Sequence, residues 1–80
     1  MVLIMNAEQC RMGRAALNWT IDQLSHQAGV NRNTLAKIER GGTANTSTLN
    51  AIRLTLEAAG IIFIDENGEG PGVRLRKTNP

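Results

Sequence analysis

Residues 20–40, TIDQLSHQAGVNRNTLAKIER, constrain the fold more than any other part of the chain. Leu24 and Ala28 sit four apart, and Leu35 and Ile38 three apart, so each pair lies on one face of its own helix. Between the pairs stands Gly29, which suits a left-handed backbone position that a side chain would enter at a cost. Val30 follows the turn and can plug the angle between the helices, and Ser25 is small where they must approach closely. Thr20 with Gln23 forms a capping box for the first helix, and Asn31 is a good N-cap for the second. The first helix thus carries the second and presents it outward.

The flanking sequence supplies the rest of a small core. Asn6 with Gln9 makes a capping-box-like start to an earlier helix, and Glu8 in its first turn suits the helix dipole. Cys10, then Gly13 or Arg14, then Leu17 fall on one face of that helix, which Asn18 and Trp19 end. Trp19 is expected as a core or rim anchor, since one Trp with one Phe and no Tyr is no base-stacking platform. After residue 40, Gly41-Gly42 stops the outward helix, and a polar loop leads to caps at residues 45–47. Leu49, Ile52, Leu56 and Ala59 then repeat at three, four, three, the core stripe of a helix ending at a Gly60 C-cap. The opening MVLIM reads as a short strand, as an arm packing on the body, or as a flexible extension ahead of an initiation at Met5.

The C-terminal segment changes character. Ile61-Ile62-Phe63-Ile64 is a dense β-branched and aromatic run, and so a strand. Residues 65–72 are a loop by composition, and residues 73–77, VRLRK, alternate as a second strand with one wet face. A two-stranded hairpin is barely stable alone and leaves an edge exposed. Pairing that edge with a second copy would satisfy both under twofold symmetry, which makes Ile61, Ile62, Phe63, Ile64, Val73 and Leu75 the expected dimerisation residues. The alternative is a hairpin that packs only on its own body. The organisation is thus an arm over residues 1–6, a helical domain over 7–60 and a β segment over 61–80.

Eighty residues make one domain of marginal stability. Nine basic residues stand against seven acidic ones, too even a balance to identify a partner by itself. The distribution says more. Arg11, Arg14, Arg32, Lys37 and Arg40 face only Asp22 and Glu39 over residues 11–40, and the balance reverses beyond, where Arg53 meets Glu57, Asp65, Glu66 and Glu69. Cys10 is the only cysteine, so there is no disulfide framework or metal cluster, and with no His or Lys beside it Cys10 reads as a small buried hydrophobe rather than a reactive thiol. His26 is the only histidine, with no nucleophile or carboxylate constellation around it in sequence. It reads as a surface residue, with phosphate contact as a lesser role. An enzyme is not expected, nor a cofactor, nor a membrane span: the apolar opening is too short, and the protein is expected in the cytoplasm.

Residues 7–60 resemble the DNA-binding domain of Cro/repressor-type (Xre-like) bacterial and phage regulators. The likeness includes the Arg14-Ala15-Ala16-Leu17 end of the first helix and Ile38-Glu39-Arg40-Gly41 at the end of the outward one. It implies a mainly α, lambda-repressor-like bundle of four to five short helices with a helix-turn-helix, plus a C-terminal strand or hairpin. The second motif helix is then the recognition helix, whose N-terminal turn enters the major groove of double-stranded DNA. Arg32, Asn33 and Lys37 are assigned to base edges. Thr20, Asn31, Thr34, Arg40, Asn45 and Thr46 are assigned to phosphates. The family pattern also makes Arg14 and Glu39 a partly buried ion pair, and relatives with this ending suggest a strand-mediated dimer. Arg53 is placed on the side away from DNA. The implied function is a small transcriptional regulator, a repressor by preference, binding operator half-sites as a homodimer. Alternatives are an antitoxin or accessory regulator with a second protein partner, and an interaction module that has lost DNA binding.

Overall fold

The computed structural model describes residues 4–77. Four helices, α1 (Ala7–Ala16), α2 (Ile21–Ala28), α3 (Arg32–Glu39) and α4 (Thr46–Ala58), precede an antiparallel hairpin of β1 (Ile61–Ile64) and β2 (Gly72–Leu75). Among the described residues the helix count is therefore four.

The helix starts follow from local chemistry. Asn6 and Thr20 each accept from the backbone N–H three residues on, while Gln9 and Gln23 reach back to the cap's own N–H. Asn31 caps α3 by accepting from Asn33 N at 2.8 Å, and Asn45 caps α4 through Thr48 N at 2.8 Å. Helix ends need the opposite device, a residue that lets the chain turn away. Asn18 does this after α1 at φ +60°, a conformation that Asn tolerates better than most side chains. Gly29 does it after α2 at φ +67°, where Val30 N closes onto Ser25 O at 3.0 Å. After α4 the C-cap is Ala59 rather than Gly60. Gly60 follows at φ +110° and turns the chain straight into β1.

Met5, Cys10, Leu24, Leu35, Ile38, Ile52, Leu56 and Ile61 form the buried core, with Leu17, Trp19, Val30, Leu49, Phe63 and Val73 packed around it. On α1 it is Gly13 that shares the core face. A β-carbon there would stand 3.3 Å from Leu56 Cδ1 and 3.6 Å from Ile61 Cγ2, so its bareness lets α1 lie close to α4 and β1. Cys10 is fully buried, and burial together with the neighbouring Glu39 carboxylate pushes its thiol up to about 12. The thiolate that would make it reactive is thereby suppressed. Met5 is a core residue, and the Ile4 carbonyl accepts from Arg53 Nη1. Ile4 and Met5 are thus part of the packed body, which removes the flexible-extension reading for Ile4. Residues 1–3 of the expected arm lie outside the described residues.

The hairpin is built into this core. Its register pairs Ile61 with Leu75, Ile62 with Arg74, Phe63 with Val73 and Ile64 with Gly72. Ile61 and Phe63 face inward, so Ile62 and Ile64 occupy the other face. β2 starts one residue earlier than the alternation suggests and stops two earlier. Its partner strand begins at Ile61, just after the turn at Gly60. Arg76 N still reaches Gly60 O at 2.7 Å, but residues 76 and 77 have no strand beside them. Gln9 fastens the hairpin to α1. Its side-chain oxygen accepts from Asn6 N, and its Nε2 donates to Ile64 O and Gly72 O, each at 3.1 Å. Arg53 fastens it to α4. The guanidinium lies 4.6 Å from the Phe63 ring centroid and pairs with Glu57 at 3.2 Å. Arg53 is therefore a tie between arm, α4 and hairpin. The boundary at residue 60 marks a change of element within one core, so truncation there would strip Ile61 from it.

Gln9→Leu should keep the volume and remove the side-chain bonds to Ile64 O, Gly72 O and Asn6 N, while Asn6 still caps the Gln9 backbone N–H. The expected loss is about 1–3 kcal/mol in urea unfolding. An unchanged midpoint would mean that the Gln9 clasp does not hold the hairpin in solution.

Candidate nucleic-acid interface

The outward face of α3 is fixed by what its inward face buries. Leu35, Ile38 and Glu39 are buried, while Arg32, Asn33, Lys37 and Arg40 are exposed and Thr34 is half-buried. At 3.6 residues per turn, Leu35 and Ile38 secure one side against the core, and Lys37 is left on the wet side. Glu39 is 5% exposed. Its carboxylate takes two parallel bonds from Arg14, Nε to Oε2 at 2.8 Å and Nη2 to Oε1 at 2.9 Å. Cys10 Sγ adds a weak donor at 3.7 Å. Arg14 also donates to Trp19 O at 3.0 Å, so the same guanidinium closes the turn after α1. The bonds to Glu39 raise the Arg14 guanidinium above its ordinary value against the opposing effect of burial.

This inward turn decides the electrostatics. Glu39 is the only carboxylate on α3, and it is neutralised inside the protein. The exposed side of α3 and its C-cap consequently present Lys37 and Arg40 as cations, beside Arg32, whose Nε is paired with Asp22 of α2. Arg11 Nη1 donates to the Glu39 carbonyl, which caps an otherwise open helix end. Gly42 folds back so that its N–H meets Lys37 O at 2.9 Å. A β-carbon on Gly42 would lie 2.5 Å from Lys37 Cγ and 2.9 Å from Lys37 O, so the glycine leaves room for the lysine stem.

The remaining expected contacts divide by local role. Thr20, Asn31 and Asn45 are all exposed N-caps whose oxygens accept from the backbone of their own helices. What each side chain has left is a donor, the hydroxyl hydrogen or the amide NH₂, which is what a phosphate oxygen accepts. Thr46, exposed, opens α4. The first turns of α2 and α3 are drawn together by Asp22, whose Oδ1 accepts from Arg32 Nε. That contact was not legible in the sequence, because ten residues and a turn separate the two side chains. His26 is exposed on α2. Of the six expected dimerisation residues, Ile61 is 1% exposed, and Phe63 and Val73 pack against the core, whereas Leu75 is 51% exposed.

A family model described as helix-turn-helix matches residues 11–56, from α1 through the buried part of α4. The chain belongs to the Cro/Xre-type helix-turn-helix family. Its bundle of four helices with a C-terminal hairpin is of the lambda-repressor-like kind. The family consists of DNA-binding regulators and is not an enzyme family. Comparison with curated proteins finds no match. Among the described residues no group of His, Cys, Asp and Glu could hold a metal, and no helix is long and apolar enough to cross a membrane.

Arg14→Ala leaves the Glu39 carboxylate buried without its cation and should cost about 3–5 kcal/mol. Replacing both partners by Met should recover most of that in denaturant titration. A loss below about 1 kcal/mol for the single variant would show a pair that water already solvates.

Proposed function

We propose that this Cro/Xre-type protein is a cytoplasmic transcriptional regulator, a repressor, that binds operator DNA as a homodimer with α3 in the major groove. The observation that carries the reading is the exposed face of α3, where Arg32, Asn33 and Lys37 stand free of carboxylates on their own helix because Glu39 is turned inward. Arg has the fork for guanine O6 and N7, and Asn has the donor–acceptor pair for adenine N6 and N7. Thr20, Asn31, Thr34, Arg40, Asn45 and Thr46 would set the register on phosphates, the capping residues through their spare donors. One α3 reads only a few base pairs, so a dimer with two such helices about 34 Å apart gives an operator of useful length. Support for a hairpin-mediated dimer comes from Leu75, half exposed at the rim of the inward face beside Ile61, and separately from Ile62 and Ile64 on the opposite face of the hairpin. Ile61, Phe63 and Val73 serve the protein's own core in this reading.

Selection of duplexes from a random pool tests the proposal. The wild type should enrich a two-fold symmetric site whose affinity falls steeply with salt. Arg32→Ala should relax the preference at one position per half-site, a discrimination of about 1–3 kcal/mol. Leu75→Asp should sediment as a monomer and lose the symmetric site. Absence of any enriched sequence would remove the regulator reading.

A further inference from the structure

From the contact between the first turns of α2 and α3, we infer that Asp22 is a positioning residue that sets the Arg32 guanidinium for base reading. The inference rests on the DNA-binding reading above. Asp22 Oδ1 accepts from Arg32 Nε, and the two side chains are 71% and 60% exposed. A pair this exposed adds little to stability, because water screens it and two long side chains must be ordered to form it. Its geometry offers more than its energy does. The carboxylate takes the Nε edge of a rigid planar fork, which leaves the Nη1–Nη2 end directed away from Asp22. A bidentate contact to guanine needs two donors of that fork presented together. An arginine held by its Nε arrives with its plane already set, so less freedom is lost when it meets the base.

Asp22 also carries a cost that a purely structural residue would not. It places a negative charge at the start of α2, beside the positions assigned to phosphates. Its removal should therefore strengthen binding to arbitrary DNA while weakening the distinction between right and wrong base pairs. A carboxylate kept only for the helix dipole of α2 would act on stability, and its loss would leave that distinction intact.

The test measures the affinities of full-length wild type, Asp22→Ala, Asp22→Asn, Arg32→Ala and Asp22→Ala/Arg32→Ala for the selected duplex and for a set in which each base pair is changed in turn. Thermal unfolding of every variant is followed alongside. Asp22→Ala should lose about tenfold in discrimination, only at the base pair where Arg32→Ala also loses it. It should bind non-specific duplex more tightly. Asp22→Asn, whose amide oxygen can still accept from Nε, should keep part of the discrimination. In the double variant, adding Asp22→Ala to Arg32→Ala should lower discrimination no further. Unchanged discrimination in Asp22→Ala beside a loss in Arg32→Ala overturns the inference and leaves the DNA reading standing. An equal loss at every position, together with a lowered melting temperature, assigns Asp22 to the fold and also overturns it. A wild type without sequence preference overturns both.

Discussion

The Arg14–Glu39 pair is the contact on which the outward face of the molecule depends. Burying a carboxylate is expensive, and it is tolerated only where hydrogen bonds and a cation satisfy it. Here two guanidinium bonds and the Cys10 thiol meet the carboxylate, while Arg11 meets the carbonyl of the same residue. Every one of these donors comes from α1. The end of α3 is thereby fixed to α1 at one residue, and the hydrophobic contacts of Leu35 and Ile38 leave it a single rotation about its axis. Such a pair contributes less to net stability than to uniqueness of pose. That is the property a helix needs if Arg32 and Lys37 are to meet base edges in a constant register.

The hairpin solves a different problem. An 80-residue chain has few apolar residues with which to close a core under two short helices. Ile61, Phe63 and Val73 add to it, and two polar side chains do the fastening. Gln9 has its oxygen and both amide hydrogens engaged, and Arg53 spans the arm, α4 and the Phe63 ring. The Gln9 bonds to the hairpin and the Arg53 bond to Ile4 O join segments more than forty residues apart. They make the hairpin part of the domain rather than an appendage.

What the sequence revealed was what short-range rules govern. The Thr20–Gln23 and Asn6–Gln9 boxes, the Asn31 and Asn45 caps and the left-handed Gly29 are all set by residues within three positions of each other. The apolar stripes of α3 and α4 are equally local, and Leu35, Ile38, Ile52 and Leu56 are buried as their spacing implies. The Arg14–Glu39 assignment came from family resemblance, since nothing in the spacing joins residues 25 positions apart. The hidden features were long polar side chains reaching across the fold. Gln9 signals only its capping role in sequence, nothing near Arg53 in sequence points to Ile4 or Phe63, and the Asp22–Arg32 contact depends on the angle between two helices. β2 ends before the alternation does, because the apolar and basic residues keep alternating past Leu75 while the partner strand does not extend beyond Ile61.

If α3 meets DNA in a pose set from its buried side, DNA binding must mark the residues of α3 and of the caps around it. The most direct measurement is an amide NMR titration of the full-length protein with a duplex carrying its selected site. Shifts should concentrate at residues 20–23, 31–37 and 40–46, with the amides of α4 beyond its first turn largely unmoved by the DNA. Shifts confined to α4 and the hairpin, with residues 31–37 unchanged at saturation, would contradict it.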